Sequence, residues 1–204
     1  MIVTQLQVKN NVIAVYIDGE LVCSLAPEIV LKHELRRGLK LSQASLKQLL
    51  EETNIVKWRD KALRFISFRP RSCKELSQYL RKQGISESIL QILLEKLTDQ
   101  KLVDDLRFAQ WFVEQRDQFR PKAKKVLEIE LKSKGIGSDI IQDVLAQKTS
   151  SDELSQAQTL IQKKLRLWKN YSKQQKEHKI QAFLIQRGYS WDIVRSILKM
   201  ETIF

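Results

Sequence analysis

Arg69-Pro70-Arg71-Ser72-Cys73-Lys74-Glu75-Leu76, followed by Gly84-Ile85-Ser86, is the stretch of sequence that decides the fold, because its pattern returns twice further along the chain. Arg69-Pro70 recurs as Arg120-Pro121, and the spacing from proline to glycine is the same in both copies. The glycine and the apolar residues before it recur in three copies, as Leu76, Leu80 and Gly84, as Leu127, Leu131 and Gly135, and as Ile180, Leu184 and Gly188. Agreement at so many coordinated positions indicates an internal repeat.

Each copy predicts a helix, a glycine turn and a second helix. Apolar residues four apart that lead up to a glycine are typical of a helix that ends at a residue with left-handed φ. Ser86 and Ser190 then offer an N-cap oxygen to the next helix, and Gly137 or Ser138 stands there in the middle copy. Pro70 and Pro121 can end a preceding helix and open the first turn of the following one.

The whole pattern predicts a mainly α-helical fold built from tandem three-helix repeats. We assign the repeats to residues 57–102, 103–150 and 151–204. Because each repeat would contact mainly its neighbours, we expect an elongated, curved array.

The chain before the repeats predicts a small β-then-α domain over residues 1–56. Alternating apolar residues between 2 and 25 are typical of strands, and Asp18-Gly19 and Asn10-Asn11 are turn dipeptides between them. Pro27 opens a helix expected to reach Leu35, and Ser42 caps a second one that runs through Leu50. We place the boundary with the repeats at Thr53-Asn54.

Charge and composition indicate the class of partner. The 204 residues carry a formal net charge of +12, and the excess lies in the repeats, since residues 1–56 are neutral. A basic field of this kind attracts polyanions, above all nucleic acid, although a merely solvated basic surface is the alternative. No apolar run approaches the roughly 18 residues that span a bilayer, and the start of the chain lacks signal-peptide order, so we expect a soluble cytoplasmic protein.

The basic residues around the proline turns are the main candidate contact residues. Arg69, Arg71 and Lys74 correspond in place to Arg120, Lys122 and Lys124-Lys125, which puts charge at the same corner of adjacent repeats. Stability alone does not favour cations at a helix N-terminus. We therefore expect these side chains to lie outside the core and to contact DNA or an acidic protein face. The further candidates are Arg116 and, in the third repeat, Lys163, Lys164, Lys169 and Lys173, with Tyr171 as an exposed aromatic among them and Trp168 in the core.

The sequence gives little support for a catalytic site or a metal site. Asp104 and Asp105 could suggest paired carboxylates, but acidic residues at the first turn of a helix stabilise its positive end and can cap it. Cys23 and Cys73 have no histidine cluster near them, and neither His33 nor His178 lies in a catalytic spacing. We expect no enzyme activity, no cofactor and no metal.

Two motifs resemble the RecX family, bacterial regulators of the RecA recombinase. The first is Val103-Asp104-Asp105-Leu106-Arg107-Phe108-Ala109, with Glu114, Arg116 and Arg120-Pro121 after it. The second is Arg69-Pro70-Arg71-Ser72 with Glu75-Leu76 and Gly84. The third repeat lacks the Arg-Pro pair, but Arg187-Gly188-Tyr189-Ser190 still resembles the family's usual ending.

The resemblance implies a protein that binds RecA filaments on single-stranded DNA and restrains ATP hydrolysis, strand exchange and repressor cleavage during DNA repair and the SOS response. Two alternatives stay open. One is a protein that binds duplex DNA directly through helix-turn-helix units, and the other is a protein-interaction scaffold without a DNA role.

Overall fold

A computed structural model describes residues 1–10, 12–146 and 148–200. Three strands precede the helices: β1 (Val3–Lys9), β2 (Val12–Ile17) and β3 (Glu20–Leu25). The helices are α1 (Pro27–Lys32), α2 (Gln43–Ser67), α3 (Cys73–Lys82), α4 (Glu87–Asp99), α5 (Asp105–Phe119), α6 (Lys124–Ser133), α7 (Ser138–Ala146), α8 (Ser150–Leu165), α9 (Lys173–Gln186) and α10 (Trp191–Lys199). The predicted fold class, mainly helical after a small sheet, is confirmed.

The sheet is a three-stranded antiparallel meander in the order β1-β2-β3. The turn from β2 to β3 has positive φ at both central residues, 52° at Asp18 and 94° at Gly19, as the turn dipeptide predicts. Asn10 has a φ of 42° at the other turn, and Asn11 lies outside the described residues. A three-stranded sheet this small is stable only when other elements pack against one of its faces. The helices provide it, with a shared core of Val3, Val15, Ile17, Leu25, Ile29, Val30, Leu35 and Leu49.

Two helices of this region differ from their predicted lengths. α1 ends at Lys32 rather than Leu35, because Glu34 takes a left-handed φ of 48° and Leu35 turns back to donate its N–H to the Val30 carbonyl at 2.9 Å. α2 runs for 25 residues straight through Thr53-Asn54.

The sequence explains why α2 continues. It contains no glycine or proline to stop the helix, and the Thr53 hydroxyl bonds the Leu49 carbonyl at 2.6 Å instead of competing with the backbone. The helix expected to run through Leu50 thus continues past Thr53-Asn54 to Ser67, while the boundary placed there and the division into four domains stay predictions.

The glycine turns are confirmed. Gly84 has a φ of 90°, and Gly135 and Gly188 each have 84°. The apolar residue after each glycine reaches back to the carbonyl five residues earlier: Ile85 to Leu80 at 3.3 Å, Ile136 to Leu131 at 3.2 Å and Tyr189 to Leu184 at 3.1 Å. These bonds satisfy helix carbonyls that would otherwise have no partner.

The helix starts confirm the predictions only in part. The Ser190 hydroxyl accepts from the Ile193 N–H at 3.4 Å, whereas Ser86 occupies the N-cap position without a side-chain cap bond. The prolines do not open the following helices, which begin at Cys73 and Lys124. Ser72 takes the capping role in the first repeat, where its hydroxyl accepts from the Glu75 N–H at 3.1 Å.

The chain divides into two compact units, each with its own core. The first comprises Met1–Arg69 with Ser77–Gln100 and contains the sheet. The second comprises Pro70–Leu76 with the chain from Lys101 onward. Two apolar clusters fill the second unit: one centres on Phe108, Leu127 and Leu131, and the other on Ile161, Ile180 and Leu184.

Candidate nucleic-acid and partner interface

The chain between α5 and α6 positions the basic residues of the second repeat. Arg120 is exposed there, but Lys122 is only 28% exposed and places its Nζ 2.5 Å from Glu130 Oε1. Arg116 approaches the same carboxylate from α5, with its Nε 2.8 Å from Oε2. Lys122 is thus held in an internal ion pair, and its expected contact with DNA or an acidic protein face stays a prediction.

Glu130 is the centre of this pairing. Burial opposes its ionisation, but the hydrogen bonds that Lys122 and Arg116 donate outweigh the burial and lower its pKa. The carboxylate thus joins the end of α5, the following loop and α6. Lys122 and Arg116 stabilise the fold here and have little freedom to bind a phosphate.

Internal contacts also hold the basic residues at the start of α3 in the second unit. Lys74 donates from Nζ to the Ser133 carbonyl at 3.0 Å, and Ser72 donates to the Lys134 carbonyl at 2.8 Å. Lys134 in turn pairs with Glu75 at 2.8 Å. A cation at a helix C-terminus satisfies its last carbonyls, so these contacts bind the start of α3 to the end of α6.

Arg71 and Arg69 are less exposed than Arg120 of the second repeat. The Arg71 side chain is 19% exposed and lies 4.0 Å from Glu75, one helical turn along the chain. Arg69 is half-buried. Neither Arg71 nor Lys122 is among the buried residues, so the prediction that these charges lie outside the core is not contradicted, although both lie beside carboxylates.

Lys74 stays exposed despite its bond to the Ser133 carbonyl, and the other exposed candidate cations fall in two groups. In the second repeat they are Arg120, Lys124 and Lys125. In the third repeat they are Lys163, Lys169 and Lys173, while Lys164 is half-buried with its Nζ 5.4 Å from the centre of the Phe183 ring.

Two exposed phenylalanines were missed by the sequence interpretation. Phe68 is 81% exposed and directly precedes Arg69, and Phe119 is 69% exposed and directly precedes Arg120. We call Phe68-Arg69 and Phe119-Arg120 the Phe-Arg corners. The signal in the sequence was the repeated tripeptide Phe-Arg-Pro at the end of each leading helix. Single exposed apolar side chains are common, but their recurrence beside an arginine at the same place in two repeats makes the corners candidates for a contact surface.

The aromatic residues of the third repeat behave as predicted. Trp168 is half-buried and packs edge-on against Phe183 at 6.1 Å. Tyr171 is 41% exposed, with Lys179 Nζ 4.3 Å from its ring centre. The third repeat has no phenylalanine at the position of the corners: Ser172 stands sixteen residues before Gly188, as Phe68 and Phe119 stand sixteen before their glycines.

Asp104 and Asp105 have the structural roles predicted for them. Asp104 caps α5 by accepting from the Arg107 N–H at 3.0 Å. Asp105 accepts from the Cys73 N–H at 2.8 Å, and burial raises its pKa against the opposing effect of that bond. Phe108 of the same motif is buried in the core, and Arg107 is exposed.

The described residues contain no group of His, Cys, Asp and Glu side chains that could hold a metal ion. Over the same part of the chain, no helix has both the length and the apolar character needed to cross a membrane.

Family models of the first, second and third three-helix domains of RecX match residues 59–97, 104–145 and 151–198. The regulatory protein RecX of Bacillus pumilus (strain SAFR-032) is 31% identical over 193 residues, which cover 94% of this chain and 73% of that protein. The chain belongs to the RecX family. The RecX of Bacillus subtilis (strain 168) is 27% identical over 184 residues, covering 90% of this chain and 70% of the relative.

Solved structures of RecX proteins agree with the fold. A crystal structure of regulatory protein RecX superposes with a TM-score of 0.78, covers 98% of this chain and 99% of its own, and is 23% identical. The crystal structure of RecX from Lactobacillus salivarius has a TM-score of 0.63 and 29% identity, covering 74% of this chain and 97% of its own. The predicted relationship to RecX is thus confirmed, and with it membership of a family of regulatory proteins.

Proposed function

We propose that this RecX-family chain regulates recombination and DNA repair by binding RecA filaments on single-stranded DNA. In this proposal it acts in the cytoplasm as a binding protein without enzyme activity or cofactor. Its effect is to lower RecA ATP hydrolysis, strand exchange and co-protease activity.

The observation that carries the proposal is the recurrence of the Phe-Arg corners. A nucleic-acid strand offers phosphates to an arginine and base faces to an aromatic ring, and stacking on a ring is tolerant of sequence. A duplex keeps its bases stacked on each other, so exposed phenylalanines beside cations favour a strand with accessible bases. The exposed Arg120, Lys124 and Lys125 add positive charge at the second corner.

A direct duplex-binding protein is the second candidate, since each repeat contains helix pairs joined by a short turn. Such a protein should prefer particular duplex sequences and show a steep salt dependence. A filament regulator should instead act on RecA-coated strands at concentrations below those at which it binds bare duplex.

The experiment measures RecA ATPase on single-stranded DNA with increasing amounts of wild-type chain and of the Arg120→Glu, Lys124→Glu double variant, across a salt series. Both side chains are exposed, so the helicity and melting temperature should not change. We expect the variant to suppress ATPase less than wild type, and its salt slope to fall by about 0.7 for each phosphate that the variant no longer neutralises.

The matched control is Lys9→Glu with Lys47→Glu, which makes the same change of net charge at exposed positions outside the repeats. The control should retain wild-type potency. If the corner variant also retains it at every salt concentration, the corner is only a solvated surface. No effect of the wild-type chain on RecA would reject the proposed function itself.

A further inference from the structure

A groove on the second unit runs between α5 and α7. It has a volume of about 770 Å³. On the α5 side it is lined by residues that share one face of the helix, from Leu106 through Gln110 and Val113 to Asp117. Asp143 and Val144 of α7 form the other wall. A second cavity of about 410 Å³ shares Val113, Asp117 and Val144 and continues to the start of α8, so the two make one continuous groove.

The groove is acidic although the whole chain carries a net charge of +12. Glu114, Asp117, Asp143 and Asp152 line it, against one cation, Lys148. Lys148 is 7% exposed and already pairs with Asp117. Within the described part of the chain, no hydrogen bond or ion pair engages Glu114 or Asp143, and neither is buried. Two carboxylates at the rim are thus available to an incoming cation.

A buried acceptor lies in the same groove. The side-chain Oε1 of Gln156 is shielded from solvent and has no hydrogen-bond partner among the described residues. Leaving such an acceptor unmatched is unfavourable, so natural structures usually supply a donor. Because Oε1 has almost no accessible surface, a donor on a bound segment would satisfy it only after the Gln156 amide turns into the groove.

The lining defines what can bind there. Val113 and Val144 are half-buried along the groove and Leu106 is 41% exposed, which leaves apolar surface for an aliphatic side chain. Carboxylates beside that surface attract Lys or Arg and repel phosphates. The groove therefore suits a protein segment and not a nucleic-acid strand.

We infer that this groove binds a segment of the filament's protein component in which an aliphatic side chain is flanked by Arg or Lys, while the Phe-Arg corners contact the strand. The partner's identity rests on the proposed function. The binding chemistry rests on the groove alone, so the two can be tested separately.

The test variant is Glu114→Lys with Asp143→Lys, which reverses both unpaired carboxylates. Its binding to RecA-coated single-stranded DNA is measured by co-sedimentation, and its binding to bare single-stranded DNA by fluorescence anisotropy, at one salt concentration. We expect filament affinity to fall by at least about tenfold, and affinity for the bare strand not to fall. Glu114→Gln with Asp143→Asn should give an intermediate loss, since it removes attraction without adding repulsion.

The matched control is Glu51→Lys with Glu95→Lys, which makes the same charge change at exposed mid-helix positions outside the groove. It should bind filaments like wild type. Wild-type filament binding by the groove variant would overturn the inference, and so would an equal loss in the control.

A second arm uses a fluorescein-labelled synthetic helix of Leu and Arg, with a Leu and Glu helix as its counterpart. Wild type should bind the Arg helix and not the Glu helix, and the groove variant should bind neither. If wild type fails to bind filaments but discriminates the two helices in this way, the proposed function fails and the groove chemistry stands. If wild type and the variant bind the Arg helix equally, the groove inference is wrong.

Discussion

Gly188→Ala tests how tightly the glycine turns are built. Gly188 has a φ of +84°, and a Cβ added there would lie 2.3 Å from Val126 Cγ2 and 3.3 Å from Val126 Cβ. Val126 belongs to α6 and packs beside the turn, so the added methyl group meets a branched side chain with little freedom to move. Backbone strain and overpacking therefore act together at this position.

The magnitude follows from these two effects. A left-handed φ costs a residue with a Cβ about 1–2 kcal/mol, and the stiffer unfolded chain returns roughly 0.4–1 kcal/mol. Overpacking adds about 1–3 kcal/mol. The free energy of unfolding should therefore fall by about 1–4.5 kcal/mol for Gly188→Ala.

The other two turns provide graded comparisons. At Gly84 an added Cβ meets no atom within 4 Å, so only the backbone strain remains. At Gly135 it would lie 2.7 Å from both Cβ and Cδ of Lys74: Cδ can move at the expense of the 3.0 Å bond from Lys74 to the Ser133 carbonyl, but Cβ is fixed to the backbone of α3. The alanine variants of Gly188 and Gly135 should therefore both be destabilised more than that of Gly84.

The assay is urea unfolding followed by far-UV circular dichroism for the three alanine variants. A Gly188→Ala, Val126→Ala double variant should be destabilised by less than the sum of its single variants, because the smaller side chain removes the 2.3 Å contact. Equal destabilisation at all three glycines, or additivity in this cycle, would refute the argument from overpacking.

Two further predictions concern the second repeat and the Phe-Arg corners. Glu130→Gln should lower the free energy of unfolding by about 1–3 kcal/mol, because Arg116 and Lys122 lose their shared carboxylate. Since the folded-state pKa of Glu130 is lowered, wild type's advantage over this variant should be full above the ordinary pKa of 4.5 and vanish as the pH falls through the folded-state pKa. Urea unfolding from pH 7 to pH 3 measures this, and a pH-independent difference would contradict the pairing. Phe68→Ala with Phe119→Ala should weaken single-stranded DNA binding by about 1–3 kcal/mol per stacked base without lowering the melting temperature. Unchanged affinity in fluorescence anisotropy would exclude stacking.

The turns and repeats could be predicted from the sequence because their causes are local. A glycine after apolar residues four apart specifies a helix end by itself, and the positive φ at Gly84, Gly135 and Gly188 follows from chemistry within a few residues. Strand turns are equally local, as at Asp18-Gly19. The length of α2 was missed although its cause is also local: Thr53 and Asn54 are weak helix formers, but nothing in α2 stops the helix.

The candidate site was harder to predict because folding decides which cations remain available. Lys134 pairs with Glu75, 59 residues away, and Lys148 pairs with Asp117, 31 residues away. No spacing rule connects such positions. Lys74 was assigned to a contact surface from its neighbours in the chain, whereas its partner is the far end of α6.

The exposed phenylalanines were not predicted because large apolar side chains are ordinarily expected to be buried. Phe65 and Phe68 lie in or beside the last turn of α2, yet Phe65 stacks on Tyr79 with ring centres 4.0 Å apart while Phe68 is 81% exposed. Phe65 and Phe68 point to different sides of the helix, but the sequence pattern alone does not show which side packs against the core. Comparing the repeats would have helped, because Phe119 occupies the place of Phe68.

The same sorting of charges bears on how the proposed function depends on salt. If every candidate cation of the second repeat bound a phosphate, the slope of log affinity against log salt concentration would be proportional to the number of all these cations. Glu130 offsets only one of the two positive charges of Lys122 and Arg116 but holds both side chains, so together they contribute less to the salt slope than two unpaired cations would. In the proposed function, the positive charge that this repeat presents to a DNA strand comes mainly from the exposed Arg120, Lys124 and Lys125. A net charge read from the sequence therefore overstates the electrostatic part of binding, and the exposed phenylalanines provide an attraction that salt does not screen.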